Sequence, residues 1–91
     1  MSNWNLYMIR CRDNSLYTGI TNDVNKRFNE HQNDNKRCAK YLRGRRPLSL
    51  VFKQNIGSKS KATKVEREVK KFSKERKERL IIDPTIIEDL I

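Results

Sequence analysis

The sequence predicts an α/β (α+β) fold, in which a small, mostly antiparallel three-stranded sheet is flanked by helices in the order β-β-α-β-α-α. Two aromatic and branched-aliphatic runs flank a polar cluster, which is typical of a β-hairpin. A third run of this kind follows a proline. Elsewhere apolar residues recur every three or four positions, as on one face of a helix. With 91 residues, the chain has enough apolar material for one such domain.

A β-hairpin is predicted at the start of the chain. Residues 4–11 (WNLYMIRC) and 16–20 (LYTGI) have the composition of strands, and the polar residues 12–15 form the turn between them. The turn length decides which side chains share a face. A two-residue turn would place Tyr7 and Tyr17 on opposite faces, whereas a three-residue loop would place them on one face. A site shared by both tyrosines therefore predicts an odd-length loop or a bulge.

Caps and periodicity predict the remaining elements. These are a helix over about 24–32, capped within Thr21–Asp23, a helical turn in the basic loop 33–46, a strand over 48–54, and helices over about 59–72 and 74–82. In the strand, alternation predicts that Leu48, Leu50 and Phe52 share one face. The long helix carries an amphipathic stripe, formed by Ala62, Val65, Val69 and Phe72.

The last nine residues differ in character from the rest. We assign residues 1–82 to one domain and residues 83–91 to an acidic and apolar tail. Asp83 is a plausible cap for a short helix packed on the domain, with Pro84 in its first turn. The isoleucines and leucine that follow form an apolar edge. That edge could cover the domain's own core or contact another protein, and composition does not decide between the two.

The charge balance indicates a polyanionic partner. Lys and Arg number 21 against 11 acidic residues, giving a formal charge of +10 and a pI near 10. Nucleic acid is the partner that such a domain most often neutralises, although solubility and an anionic membrane surface are alternatives. No apolar run approaches the roughly 20 residues that span a bilayer, so no membrane association is expected.

The two cysteines indicate a reducing compartment. Cys11 and Cys38 form no C-x-x-C pair, so we expect them to be reduced and buried rather than metal ligands. The N-terminus lacks the charged and apolar regions of a signal peptide. Both features favour a cytoplasmic protein.

The first helix carries two polar residues on its apolar face. Arg27 and His31 lie about 40° apart on a helical wheel, on the same side as Val24 and Phe28. A sheet-facing Arg and His need a polar partner or a cleft. The alternative is an arginine that reaches solvent and a histidine that is satisfied within the core.

Two short motifs and this helix resemble the GIY-YIG nuclease family. The motifs are Leu6-Tyr7-Met8 and Tyr17-Thr18-Gly19, in the stretch L-Y-M-I … L-Y-T-G-I-T-N-D-V-N-K-R-F-N-E-H. Arg27 and His31 follow as in the family, and residues 41–48 (YLRGRRPL) are similar to a segment of its small, single-domain bacterial branch. The likeness covers about residues 4–80 and extends to the catalytic domain of excision-repair and homing endonucleases.

The resemblance implies a metal-dependent endonuclease that hydrolyses phosphodiester bonds, in DNA rather than RNA, in a repair or recombination setting. Glu66 matches the carboxylate that binds one divalent metal, Mg²⁺ or alternatively Mn²⁺. Periodicity alone does not separate Glu66 from Glu68, because both flank the apolar stripe of the long helix about equally. The choice of Glu66 rests on the resemblance.

The resemblance also implies roles for the other matched residues. Tyr7 is the general base or its relay, and Tyr17 positions the attacking water and the phosphate. Arg27 stabilises the scissile phosphate, while His31 orients Tyr7 or shares in proton transfer. Gly19 belongs to the structural motif. An alternative makes His31 the base and leaves Tyr7 as a hydrogen-bond donor, since a tyrosine of ordinary pKa is a poor base at neutral pH.

The basic loop is the predicted nucleic-acid contact. Its six cationic residues are Lys36, Arg37, Lys40, Arg43, Arg45 and Arg46. Since no separate DNA-binding domain is visible in the sequence, a protein partner or a homodimer would supply specificity. A competing interpretation is a non-cleaving or partner-dependent DNA- or RNA-binding module on the same fold.

Overall fold

The elements follow the predicted order. The computed structural model describes residues 3–91, so the first two residues of the predicted 1–82 domain lie outside the described part. Within that part the strands are β1 (Trp4–Arg10), β2 (Leu16–Thr21) and β3 (Ser49–Gly57), and the α-helices are α1 (Val24–Asn33), α2 (Lys59–Lys70) and α3 (Lys74–Ile82). Short 3-10 helices occupy Lys40–Leu42 and Pro84–Leu90. The sheet is antiparallel with β1 at its centre, in the order β2-β1-β3.

The sheet separates two layers of apolar packing. On one face Leu6 and Met8 of β1 pack with the apolar stripe of α2, as the helical periodicity predicted. On the other face Tyr7 and Ile9 pack with Val24 of α1 and with the loop that follows it. This alternation along β1 places Tyr7 in the α1 layer. Cys11 and Cys38 lie in the same layer as buried free thiols, as expected.

The prediction that Leu48, Leu50 and Phe52 share one face of β3 is wrong for Phe52. Leu50 pairs with Ile9 and Phe52 pairs with Met8, with a register shift between the two pairs. Leu50 therefore packs in the α1 layer and Phe52 in the α2 layer. One extra residue in a strand reverses the facing of everything beyond it, and a simple period of two cannot anticipate this bulge.

Each α-helix begins at a side-chain cap. Asp23 accepts a hydrogen bond from the Lys26 amide and sets the first residue of α1. Ser58 and Ser73 do the same for α2 and α3. Such caps stabilise a helix by about 1 kcal/mol each. The cap at Asp23 matters most for function, because the helix start determines which residues of α1 face the sheet.

The tail after residue 82 contributes to the core. The Asp83 side chain accepts from the Thr85 amide, and Pro84 opens a 3-10 helix rather than an α-helix. Ile87 is 1% exposed and packs with Leu80 in the α2 layer. Burial of Ile87 argues that the apolar edge serves the protein's own core. In residues 3–91 no helix has the length and apolarity needed to cross a membrane.

Candidate active site

Tyr7 lies in β1 with its ring against the backbone of β2. It is opposite Gly19 in the antiparallel pair and only 2% exposed. A Cβ atom at Gly19 would lie 2.5 Å from the Tyr7 Oη and 2.7 Å from its Cζ. Such a contact is too close for any side chain, so Gly19 is required by the path of the tyrosine ring. The Tyr7 ring therefore extends from the central strand β1 across to the edge strand β2, and its hydroxyl lies beside Gly19.

The hairpin places both tyrosines on one face. The Cys11 amide donates to the Ser15 carbonyl oxygen over 2.9 Å, leaving three residues in the loop between them. The last of these, Asn14, has a φ of 70°, in the left-handed region that asparagine tolerates better than most residues. The prediction of an odd-length loop is confirmed. The ring centroids of Tyr7 and Tyr17 lie 6.4 Å apart.

His31 is held by hydrogen bonds at both ring nitrogens. It is 0% exposed, and its Nε2 lies 2.9 Å from the Tyr7 Oη. Its Nδ1 accepts a hydrogen bond from the Ala39 amide over 3.2 Å. Because an amide N–H can only donate, Nδ1 carries no proton, and the neutral ring has its proton on Nε2. His31 therefore donates to the Tyr7 oxygen, and neither ring nitrogen is available to accept a proton from water.

Burial keeps both groups of this pair neutral. Burial, together with the positive charges of Arg27 and Arg46, lowers the pKa of His31 from 6.5 to about 4, and the charge of Glu30 opposes this shift. Burial also raises the pKa of Tyr7 above its ordinary value, and the neighbouring Tyr17 adds to that rise. At neutral pH the pair is a neutral imidazole donating to a neutral phenol.

Arg27 supplies positive charge beside the Tyr7 hydroxyl. Its charge opposes the rise of the Tyr7 pKa. Its Nη1 donates to Glu30 Oε1 over 3.1 Å and to the carbonyl oxygen of Arg37 over 2.8 Å. The side chain is 31% exposed, so the guanidinium stands at the rim of the site with its orientation held from two sides.

Glu66 belongs to the layer on the other face of the sheet, where α2 packs against β1 and β2. It lies on α2, its side chain is 20% exposed, and Lys70 pairs with it over 3.5 Å. Its negative charge is the smallest of the effects that raise the pKa of Tyr7. Glu68 differs, because its side chain is 51% exposed and contacts Lys71 at 3.8 Å. The structure thus separates two glutamates that periodicity could not.

Glu66 fits a sparse divalent-cation site. Mg²⁺ is commonly held by one or two carboxylates together with water and substrate phosphates. Across residues 3–91, no cluster of three or more His, Cys, Asp or Glu side chains could enclose a metal by itself. A single partly buried carboxylate suits an oxygen-preferring cation that keeps water ligands, and it does not suit a closed zinc-type site.

Two of the six predicted nucleic-acid contacts have internal roles. Arg46 Nε donates to the His31 carbonyl oxygen over 3.0 Å, and its Nη1 donates to Asn35 over 2.7 Å. Arg45 Nη1 donates to the Tyr41 carbonyl oxygen over 2.6 Å, and its Nε pairs with Asp13 over 3.2 Å. Composition could not distinguish these anchored arginines from free ones. Arg46 in particular positions the helix end that carries His31.

The other four cations face outward. Lys36, Lys40 and Arg43 are exposed, and the Arg37 side chain is 69% exposed with only a 3.7 Å contact to Asp34. They lie in the loop that supplies the Ala39 amide to His31. Their charge therefore surrounds one side of the site, where a polyanion would contact it.

Sequence reasoning missed three contributors to this site. The Ala39 amide fixes the tautomer of His31, Arg46 anchors its helix, and Tyr41 stacks on Tyr17 with centroids 5.9 Å apart. No sequence signal identifies a backbone amide as a partner. Tyr41 was visible in the segment of residues 41–48, but its ring partner depends on tertiary structure.

Gly19→Ala should disrupt the site through one methyl group. The new Cβ collides with the Tyr7 ring, so we expect a loss of about 1–3 kcal/mol in unfolding free energy. We also expect the Tyr7–His31 hydrogen bond to break. Urea unfolding measures the first effect, and the ¹⁵N shifts of His31, the one histidine in the chain, measure the second.

A double-mutant cycle tests the proposed cause. Tyr7→Leu removes the atoms that an alanine at position 19 would touch, so the cost of Gly19→Ala should fall sharply in that background. Additive losses from the two changes would contradict the direct contact.

Acid should destabilise the protein through His31. Its pKa in the folded state, about 4, lies below the ordinary 6.5, so the unfolded chain binds the proton first. Stability from the neutral ring is present above pH 6.5 and is lost as the pH falls towards 4. We expect a loss of about 2 kcal/mol between pH 7 and pH 5, measured by urea unfolding. His31→Gln should show little change over that range, and an equal loss in that variant would refute the assignment.

Comparison with known proteins identifies the family. The sequence profile of the GIY-YIG catalytic domain matches residues 3–79, which include Tyr7, Tyr17, Arg27, His31 and Glu66. The chain belongs to the GIY-YIG family. The resemblance seen in the sequence is thereby confirmed, and the family is one of nucleases.

The relatives of this GIY-YIG domain are small bacterial proteins. The UPF0213 protein YhbQ of Salmonella arizonae is 43% identical over 91 residues, covering 100% of this chain and 89% of the relative. A UPF0213 protein of Cronobacter sakazakii is 49% identical over 81 residues, covering 89% and 83%. The solution NMR structure of a UPF0213 protein from Bacillus halodurans has 42% sequence identity and a TM-score of 0.55, covering 87% of this chain and 82% of that one. That similarity confirms the predicted α+β fold.

Proposed function

We propose that this chain is an endonuclease that hydrolyses phosphodiester bonds in nucleic acid, with its active site at Tyr7, Tyr17, Arg27, His31 and Glu66. The observation that carries the proposal is the buried 2.9 Å hydrogen bond between the Tyr7 Oη and His31 Nε2. A titratable pair that is buried, hydrogen-bonded and shifted in pKa beside charged groups is a candidate functional site.

Tyr7 is the proposed general base. His31 donates a hydrogen bond to its oxygen and cannot take a proton through either nitrogen, so the alternative with His31 as base is disfavoured. The same bond and the charge of Arg27 oppose the burial that raises the pKa of Tyr7, so they reduce the cost of forming the phenolate. In the reaction the phenolate form of Tyr7, which has lost its own proton to solvent, would accept the proton of the attacking water and return to the neutral phenol. His31 is then a positioning residue that stabilises the charge formed on Tyr7.

Arg27 is the proposed phosphate ligand. Negative charge develops on the phosphate oxygens during attack, and a fixed guanidinium at the rim of the site stabilises it without reorganisation. Glu30 and the Arg37 carbonyl hold that guanidinium in place. Tyr17, whose ring packs edge-on against His31 with centroids 5.5 Å apart, would position the water and the phosphate.

Glu66 is the proposed ligand of a divalent cation, Mg²⁺ or Mn²⁺. Such a cation, when bound, supplies positive charge that offsets the charge of the scissile phosphate. The partial burial of Glu66 and its electrostatic coupling to Tyr7 support this role. Its weak pairing with Lys70 could be exchanged for a stronger ligand.

The proposed substrate is DNA, in a repair or recombination setting. The net charge of +10 supports contact with a polyanion, and the resemblance to excision-repair endonucleases favours DNA over RNA. Lys36, Arg37, Lys40 and Arg43 are the cations proposed to contact phosphates, since Arg45 and Arg46 are held internally. A protein partner or second copy would add specificity.

One observation favours a second candidate, a binding module that does not cleave alone. Arg27 is hydrogen-bonded to Glu30, and the raised pKa of Tyr7 disfavours the phenolate, so contacts from substrate or a partner would be needed to activate such a site. Under this alternative the same surface holds nucleic acid until a partner completes the site.

Purified protein incubated with labelled substrates separates the two candidates. The panel comprises branched, nicked and single-stranded DNA and single-stranded RNA, each with Mg²⁺, Mn²⁺ or EDTA. The nuclease proposal predicts cleavage only with a divalent cation, and faster cleavage of DNA than of RNA. Tight binding without cleavage under every condition would support the binding module instead.

A further inference from the structure

An exposed tyrosine continues the ring cluster of the site towards the surface. Tyr41 is 42% exposed, and its ring stacks on Tyr17 at 5.9 Å with planes 28° apart. Tyr17 in turn contacts the rings of Tyr7 and His31. The proposed catalytic role of Tyr7 does not require Tyr41. A large aromatic side chain left partly in water beside a site is a candidate ligand contact.

Arg45 covers Tyr41 in a fixed orientation. The Cζ of its guanidinium lies 4.2 Å from the centroid of the Tyr41 ring. Its Nη1 donates to the Tyr41 carbonyl oxygen over 2.6 Å, and Asp13 pairs with its Nε over 3.2 Å. Three contacts thus hold a planar cation that is still 38% exposed. A guanidinium held in this way presents a flat surface as well as a positive charge.

The position of this pair suits a nucleobase next to the cleaved bond. Two ring-to-ring steps, of 6.4 Å and 5.9 Å, lead from Tyr7 through Tyr17 to Tyr41. Lys40 and Arg43 flank Tyr41 in the chain and are exposed, so backbone phosphates can be bound nearby. Guanidinium planes and tyrosine rings are the side chains on which unpaired bases stack.

We infer that Arg45, held flat against the Tyr41 ring, forms with it a stacking platform for an unpaired nucleobase one or two nucleotides from the scissile phosphate. This inference rests on the proposed nuclease function and names its substrate class, which is nucleic acid with a single-stranded segment at the cleavage position. A base inside a duplex has both faces covered by its neighbours and cannot stack on a protein side chain. The platform therefore selects frayed, flapped or single-stranded sites over continuous duplex.

Binding in the absence of divalent ions tests the platform without cleavage. The probes are a fluorescently labelled single strand, the matching duplex, and a duplex with a single-stranded flap. Tyr41→Leu keeps an apolar side chain but removes the ring, and Arg45→Lys keeps the charge but removes the plane. For each variant we expect roughly tenfold weaker binding of the single strand and flap, with duplex binding almost unchanged.

Salt dependence separates stacking from charge. Arg43→Gln, which removes a proposed phosphate contact, should weaken binding to all three probes and reduce the slope of log Kd against log salt by about 0.7–0.9. Tyr41→Leu and Arg45→Lys should leave that slope as in the wild type. A reduced slope in both would overturn the platform and make the pair part of the general phosphate surface.

A single 2-aminopurine in the flap reports stacking directly. Its fluorescence should be quenched on binding the wild type and not on binding Tyr41→Leu or Arg45→Lys, with thermal melting confirming that each variant is folded. Equal quenching by all three proteins, or equal loss of duplex and flap binding, overturns the inference. The proposed nuclease function fails by a different result, namely no cleavage by the wild type with Mg²⁺ or Mn²⁺.

Discussion

Tyr7→Phe is expected to lower kcat for nucleic-acid cleavage by about 10²–10⁴-fold, the contribution typical of a general base. The change removes one oxygen and keeps the ring that packs against Gly19 and the α1 layer. The lost oxygen is the proposed proton acceptor and the partner of His31 Nε2. Initial rates on a labelled flap substrate, with Mg²⁺ in excess, measure the effect.

Stability is the control for this variant. Removal of the hydroxyl leaves the buried Nε2–H of His31 without its acceptor, at a cost of about 1–3 kcal/mol. Assays should therefore be run well below the melting temperature of the variant. If a folded Tyr7→Phe protein cleaves at the wild-type rate, Tyr7 is not the base.

Glu66→Gln is expected to abolish cleavage, with a loss of about 10³-fold or more, because it removes the proposed anionic ligand of the divalent cation while keeping the size of the side chain. Nucleic-acid binding without divalent ions should persist. Calorimetric titration of the protein with Mn²⁺ should show weaker binding in the variant.

Glu68→Gln is the matched control. Glu68 lies two residues away on the same helix, is more exposed and pairs only with Lys71 among the described residues. We expect wild-type cleavage and Mn²⁺ binding from this variant. Equal losses in the two variants would indicate a helix or charge effect, and cleavage that survives Glu66→Gln would exclude Glu66 as the ligand.

Local sequence patterns predicted the helices and strands well because caps and apolar spacing depend only on residues that are near in sequence. Asp23, Ser58 and Ser73 are good caps at the helix starts, and the stripe of α2 has the spacing of one helix face. The facing of β3 failed because a bulge depends on pairing with β1, which no local period encodes. The order β-β-α-β-α-α was predictable, whereas the register of β3 was not.

The sequence identified the main side chains of the candidate site, whereas the groups that hold them in place became visible only in the structure. Arg27 and His31 stood out because polar groups on sheet-facing positions need partners, and Tyr7 stood out through the resemblance to the family motif. Their arrangement depends on groups with no sequence signature, above all the Ala39 amide, which determines the tautomer of His31. Arg46 was predicted to contact nucleic acid by composition, yet it bonds to the backbone of His31. Only geometry distinguishes such an anchor from a free surface cation.

The pH dependence of kcat/KM tests most directly whether Tyr7, positioned by a neutral His31, is the base. This parameter reports ionisations of the free protein, in which the pKa of Tyr7 is raised and that of His31 is about 4. If Tyr7 is the base, log kcat/KM should rise by about one unit per pH unit from pH 7 to pH 9 without a plateau. A profile that is flat above about pH 6 is what a His31 base would produce, and it would contradict the account.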